Sequence, residues 1–148
     1  MRALGLDLGT KTIGLAVTDE LGLTAQGLPT HERKGLRRDL EALKERVAEY
    51  SVDRFVIGLP LNMDGTEGPR AEVTRKFGTA LGDATGLPVI YWDERLTTVA
   101  AQRALLEGDV SRKKRREVID QVAAVLILQG WMDAQQARPS VHDDGDAD

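Results

Sequence analysis

The chain has 148 residues, with 20 Lys and Arg against 24 Asp and Glu for a net charge of −4; 41% of residues are hydrophobic and none is cysteine. This length supports one core, at a size where roughly 68–70% of the unfolded surface is buried. The lack of cysteine excludes disulfides and thiolate metal sites, so any metal must be held by oxygen or imidazole. No leader pattern and no apolar run near the roughly 20 residues of a membrane helix is visible, so a soluble, cytoplasmic protein with no membrane partner is expected.

The first predicted element is an apolar strand in which Leu4, Leu6 and Leu8 point to one face and Ala3, Gly5 and Asp7 to the other. The small neighbours of Asp7 are expected to leave room for a ligand, and a buried carboxylate requires a partner, a proton or a metal. The chain turns at Gly9 and returns as a second apolar strand ending near Asp19, and a third strand is expected over residues 22–29. Leu36, Leu40, Leu43, Val47 and Tyr50 then recur at helical spacing. Arg54-Phe-Val-Ile-Gly58 is continuously apolar after its arginine and reads as a central strand buried on both faces.

A second helix is expected to start at Pro69, run through Val73, Phe77 and Leu81 and stop at Gly86, followed by a fifth strand over residues 89–92. Thr97 or Thr98 can cap a third helix ending near Gly108, and Ser111 a fourth running to about Gln135. The order βββαβαβαα gives an α/β fold with a five-stranded mixed sheet and helices on both faces. We expect one domain, residues 1–138, followed by an acidic tail, 139–148, that is disordered. The tail's four aspartates account for the whole net charge and leave residues 1–138 neutral.

Two further acids resemble Asp7 in being out of place. Glu94 follows the fifth strand directly, and ligands of open α/β sheets bind beyond the carboxyl ends of parallel strands. It also reads as an ordinary solvated loop acid. Asp120 is the one charge in Val118-Ile-Asp-Gln-Val-Ala-Ala-Val-Leu-Ile-Leu128, followed on its own face by Ala123, Ala124 and Ile127, which should pack inward. Its ordinary reading is a hydrogen bond to a neighbouring turn or a pair with Arg116. Two Asp and one Glu form a hard-oxygen set suited to Mg²⁺ or Mn²⁺. Two such ions, roughly 4 Å apart, can activate water on one side of a phosphodiester and stabilise the leaving oxygen on the other.

Arg112-Lys-Lys-Arg-Arg116 is an unbroken basic run at a helix start, where cations oppose the helix dipole. A phosphate backbone would offset that cost, although the run also reads as a solvated face. The glycine-bearing loop over residues 58–69 brings Asn62 and Thr66 near the end of the fourth strand, where they could reach substrate. Candidate substrate contacts are therefore Lys11, Asn62, Arg95, Arg112, Lys113 and Arg116.

Four blocks carry a resemblance that spans nearly all of the chain between Leu4 and Trp131. They are Leu6-Asp-Leu-Gly-Thr-Lys-Thr-Ile-Gly-Leu-Ala-Val-Thr-Asp19, Val56-Ile-Gly-Leu-Pro-Leu-Asn-Met-Asp-Gly-Thr-Glu-Gly68, Asp93-Glu-Arg-Leu-Thr-Thr98 and Ile119-Asp-Gln-Val-Ala-Ala-Val-Leu-Ile-Leu-Gln129. In these the chain resembles the YqgF family, named for pre-16S ribosomal RNA nuclease activity and also called Holliday junction resolvase-like. The resemblance implies a ribonuclease H-like fold, with Asp7, Glu94 and Asp120 matching the family's metal-binding acids. Thr12 departs from the pattern, since the family commonly has arginine after the lysine.

The expected activity is a metal-dependent endonuclease acting on the 5′ end of small-subunit precursor rRNA, with ribosomal precursor particles as partners. The alternatives are a resolvase-like DNA nuclease and a noncatalytic RNA-binding assembly factor. A small ATPase is disfavoured because 148 residues without a repeat leave no space for a second half. RNA is favoured slightly over branched DNA, because only 4% of residues are aromatic and the basic region is compact. A resolvase is expected as a homodimer, whereas a trimming enzyme can act as a monomer.

Overall fold

The computed structural model describes residues 1–96 and 112–136, with side chains in the last helix from residue 119 onward. Five strands, β1 (Ala3–Leu8), β2 (Thr12–Thr18), β3 (Ala25–Glu32), β4 (Arg54–Leu59) and β5 (Val89–Asp93), form one sheet in the order β3-β2-β1-β4-β5. β2 is antiparallel to β1 and β3, while β1, β4 and β5 run parallel. Helices α1 (Leu36–Tyr50) and α2 (Pro69–Thr85) supply the crossovers, and α3 (Arg112–Gln136) follows a short turn, Glu94–Leu96. The helix expected between Thr97 and Gly108, its caps, the Ser111 cap and the acidic tail lie outside the described residues.

The alternation in β1 separates two cores. Leu4, Leu6 and Leu8 join Phe55 and Ile57 of β4, Leu43 of α1 and Phe77 and Leu81 of α2 on one face. Ala3, Ala16 and Val56 meet Ala123, Ala124, Ile127, Leu128 and Trp131 of α3 on the other. α3 thus buries the stripe expected from its spacing, and helices cover both faces of the mixed sheet. No described helix is long and apolar enough to cross a membrane.

The small residues of β1 serve a purpose other than the expected one. A side-chain carbon at Gly5 would lie 2.8 Å from Cβ of Leu128 and 3.3 Å from the Ala124 carbonyl. Gly5 therefore lets α3 approach the sheet closely and does not hold space open for a ligand. At Gly27 an added carbon would meet the Gln121 side chain in the same way. Gln121 donates to the Leu28 carbonyl at 3.0 Å, and the Ala25 N–H donates to Gln129 Oε1 at 2.9 Å. The two glutamines occupy polar groups of edge strand β3 that would otherwise invite a foreign strand.

β3 starts later than expected, at Ala25, because Gly22 belongs to the preceding turn. Gly22 has φ +71°, its N–H donates to the Asp19 carbonyl at 3.0 Å, and the Asp19 carboxylate accepts the Leu23 N–H at 2.7 Å. α2 begins at Pro69 and ends at Gly86 (φ +74°) as the helix signals require. Its inward face includes Thr74, Phe77 and Leu81, whereas Val73 is 57% exposed.

Candidate active site

Asp7 pairs directly with Gly14 across the β1–β2 ladder, and Leu6 pairs with Ile57, so Gly58 is the next position beside Asp7 on β4. The two glycines flanking Asp7 mark where the other two acids lie. A side-chain carbon on Gly14 would overlap the backbone carbonyl of Asp120 in α3. One on Gly58 would come within 2.7 Å of Glu94 Oε1 and 2.5 Å of Ile127 Cδ1. Asp7, Glu94 and the Asp120 backbone therefore stand on the α3 side of the sheet, at the carboxyl ends of β1, β4 and β5.

Asp7 is 7% exposed, and Asp120 and Glu94 are half-buried. Asp7 and Asp120 line one cleft of about 520 Å³ with Lys11, Thr12 and Arg70. Glu94 is one strand away and does not line it. The Thr12 hydroxyl donates to Asp120 Oδ2, tying this acid to the start of β2; the side chain of Arg116, its expected partner, lies outside the described residues. The donors are all hard oxygens, which suits Mg²⁺ or Mn²⁺ and not zinc. Among the described residues no three His, Asp or Glu groups are gathered closely enough to form a metal cage. Mg²⁺ commonly uses one or two carboxylates and completes its shell with water and substrate phosphate, a demand the Asp7 and Asp120 pair fits.

The turn carrying Lys11 is fixed from outside. The Gly9 N–H donates to the Thr12 carbonyl at 2.9 Å, the Arg33 N–H to the Lys11 carbonyl at 2.9 Å, and Arg33 Nη1 to the Gly9 carbonyl at 3.0 Å. Arg33 itself lies over the Phe77 ring, 5.5 Å from its centroid, and its Nε donates to Asp39 at 3.0 Å. Asp39 is fully buried and also accepts from His31 Nε2 at 2.8 Å and the Lys34 N–H at 2.9 Å. Burial pushes its carboxyl up, but the Lys34 amide, His31 and Arg33 outweigh that and hold it below the ordinary carboxylate range. With the turn held this way, Lys11 is left exposed at the cleft rim.

Asn62 and Arg95 are engaged within the protein. Asn62 Nδ2 donates to Thr66 Oγ1 at 2.9 Å, and the Asn62 N–H donates to the Thr66 carbonyl. Arg95 makes bonds to both oxygens of Asp93, the shortest 2.7 Å, and donates to the Met63 carbonyl at 3.2 Å. That pairing holds the Asp93 carboxyl low and the Arg95 guanidinium high. These residues shape the loop after β4. Arg112, Lys113 and Arg116 belong to the first turns of α3, and their side chains lie outside the described set.

Sequence reasoning missed Arg33, Asp39 and Arg70. Asp39 carried a signal: it lies three residues after Leu36 and four before Leu43, on the apolar stripe of α1. Arg70 carried the same signal as the basic run, a cation in the first turn of a helix. Arg33 had none, because its partners come from three separate segments.

The family model described as "RuvX: Holliday junction resolvase" matches residues 1–134. A Myxococcus xanthus protein named "Putative pre-16S rRNA nuclease" is 63% identical over 136 residues, covering 92% of this chain and 90% of the relative. A Heliobacterium modesticaldum protein of the same name is 59% identical over 135 residues, covering 91% of each. Among solved structures, Thermus thermophilus RuvC in complex with a Holliday junction substrate superposes with a TM-score of 0.59 at 14% identity, over 94% of this chain and 99% of that one. The fowlpox virus Holliday junction resolvase gives 0.53 at 12% identity, over 90% and 99%. These two likenesses establish the fold, which is ribonuclease H-like as expected.

Proposed function

This chain belongs to the RuvX Holliday junction resolvase family, and we propose that it is a divalent-metal-dependent endonuclease that hydrolyses phosphodiester bonds in the 5′ region of small-subunit precursor rRNA. The observation that carries this reading is the flanking of Asp7 by Gly14 and Gly58, over which Asp120 and Glu94 lie. The names of the M. xanthus and H. modesticaldum relatives supply the substrate class.

In this reading Asp7 and Asp120, with Glu94 on the neighbouring strand end, would hold Mg²⁺ or Mn²⁺, two ions in all. When bound, such ions activate water and stabilise the leaving oxygen of an in-line displacement. The chain's own part is positional. Asp7 projects from the central strand of the sheet, so its carboxylate has little freedom to move. The Thr12 hydroxyl fixes one oxygen of Asp120. Lys11, exposed at the rim, takes a substrate phosphate, and Arg112, Lys113 and Arg116 continue the phosphate track along the start of α3. Asn62 and Arg95 order the adjoining loop.

Precursor rRNA is made in the cytoplasm, where the enzyme acts as a monomer on a single strand. The family description favours a second reading, a twofold dimer cutting branched DNA symmetrically. The test is cleavage of a single-stranded precursor rRNA fragment and of a mobile four-way DNA junction, with Mg²⁺ or Mn²⁺, by wild type, Asp7→Asn, Glu94→Gln and Asp120→Asn. A defined cut in RNA that each variant loses by at least about 100-fold, and that chelator abolishes, supports the proposal. Symmetric nicks in the junction alone move the assignment to DNA. Full cleavage by folded Asp7→Asn, or RNA binding without cleavage under either metal, overturns the catalytic role.

A further inference from the structure

A second pocket of about 170 Å³ adjoins the acid cleft. The two share Leu8, Gly9, Thr10 and Arg70 as a common wall, and the rest of the second pocket is formed by Arg33, Pro69, Val73 and Thr74. Arg70 thus stands on the ridge between a cleft lined by two acids and a pocket whose surface is mostly apolar, with Arg33, already bound to Asp39 and the Gly9 carbonyl, at its edge.

The arginines around the site divide by whether their charge is spent. Arg33 is bound to Asp39 and the Gly9 carbonyl, Arg75 forms a two-point pair with Glu67 at 2.6 and 2.7 Å, and Arg95 is bound to Asp93. Arg70 is exposed, and among the described residues its guanidinium makes no hydrogen bond or ion pair; only its backbone carbonyl is used, by Thr74 Oγ1 at 2.9 Å. Lys11 and Arg70 are the cations among the described residues that line the acid cleft. They stand on different segments, Lys11 on the β1–β2 turn and Arg70 on the first turn of α2. A guanidinium offers a planar fork of donors that matches a phosphate in two-point geometry, which a lysine cannot do.

We propose that Arg70 grips a backbone phosphate of the substrate on this ridge, and that the nucleoside attached to that phosphate lies against Pro69 and Val73 in the second pocket. The pocket is then the subsite for the nucleotide next to the cleaved bond, and the strand passes from the acid cleft over Gly9 and Thr10. The exposed Val73 side chain, on a helix face that would otherwise be polar, becomes a wall for a sugar or base. This inference rests on the nuclease reading above and adds the direction in which the substrate leaves the acids.

The experiment measures binding of a fluorescein-labelled single-stranded RNA to the full chain over a range of salt concentrations. The parent is Asp7→Asn, to prevent cleavage, and Arg70→Ala, Arg70→Lys and Val73→Ser are added to it. A phosphate contact contributes about 0.7 to the slope of log K against log salt on a single strand. Arg70→Ala is expected to weaken binding about tenfold and to make that negative slope shallower by about 0.7, with Arg70→Lys recovering the slope and only part of the affinity. Val73→Ser is expected to weaken binding with the slope unchanged, a split that a general structural defect would not produce. Thermal melting of each variant verifies that folding is retained. Unchanged affinity and slope in Arg70→Ala, with the parent binding normally, overturns the subsite and leaves the nuclease reading intact. Failure of the parent to bind RNA, with wild type failing to cut it, overturns both.

Discussion

The Thr12 hydroxyl donates a hydrogen bond to Asp120 Oδ2, joining the first residue of β2 to α3 across 108 positions of sequence. Thr12 is the position where the chain departs from the YqgF pattern, and its side chain has acquired an internal role: it orients an acid of the cleft. Thr12→Val keeps the shape and removes the donor. A hydrogen bond to a charged group contributes about 1.5–3 kcal/mol, less when partly exposed, so a stability loss of about 1 kcal/mol in urea unfolding is expected. Cleavage should fall about tenfold or more, and Thr12→Ser should restore it. Equal activity in all three proteins would remove Thr12 from the site.

The two glycines beside Asp7 should separate stability from activity. A carbon added at Gly14 overlaps backbone of α3, which cannot yield without moving the helix, so Gly14→Ala is expected to cost about 1–3 kcal/mol and most of the activity. At Gly58 the added carbon meets the ends of the Glu94 and Ile127 side chains, which can rotate. Gly58→Ala should therefore unfold within about 1 kcal/mol of wild type yet lose cleavage, because Glu94 must leave its place. Denaturant midpoints and single-turnover rates on the same preparations decide it. A Gly58→Ala enzyme as active as wild type would argue against a role for Glu94 there.

Arg95 and Asp93 form a two-point pair that also reaches the Met63 carbonyl, so they act on the loop as one latch. Both side chains are partly exposed, so solvent screening keeps the pair's contribution to global stability small. Arg95→Ala and Asp93→Ala should have the same effect: faster hydrogen exchange at the amides of Asn62 and Gly65 and equal losses in cleavage. If Arg95→Ala alone weakens RNA binding, and does so with a reduced salt slope, Arg95 contacts substrate directly.

Asp39 sets the acid limit of the turn. Its carboxyl lies below the ordinary value of 3.8, because the Lys34 amide, His31 and Arg33 together overcome the opposing effect of burial. A carboxyl with a depressed folded value contributes stability that is fully present above its unfolded value and is lost as pH falls through the lower folded one. Asp39→Asn should therefore cost about 3 kcal/mol near neutral pH, the low end for breaking a buried charged pair, with the gap to wild type narrowing below pH 3.8. Urea unfolding from pH 7 to pH 3 tests this. A gap that stayed constant over that range would mean that packing, and not the charge, is what Asp39 contributes.

Much of this protein was legible in local pattern. Alternation in β1 assigned Leu4, Leu6 and Leu8 to one core and Asp7 to the other side, and the continuous apolar run at β4 marked a strand covered on both faces. Pro69 and Gly86 bounded α2, and Asp120 was conspicuous because its helix face is otherwise apolar. Each of these follows from residues within one or two turns or strands, where the backbone repeat alone decides which side chains are neighbours.

Tertiary structure decided what those residues meet. Gly5 looked like open space and proved to be a point where Leu128 packs tightly against the sheet. Thr12 looked like a lost contact and became the partner of Asp120. Asn62 and Arg95 looked available and are occupied by Thr66 and Asp93, while Arg70, unremarked in sequence, stands beside the acids with no ion pair among the described residues. The physical reason is common to them: a sequence fixes which groups a residue carries, but whether the space beside it is filled, or its donor or charge already satisfied, depends on segments that only folding brings together.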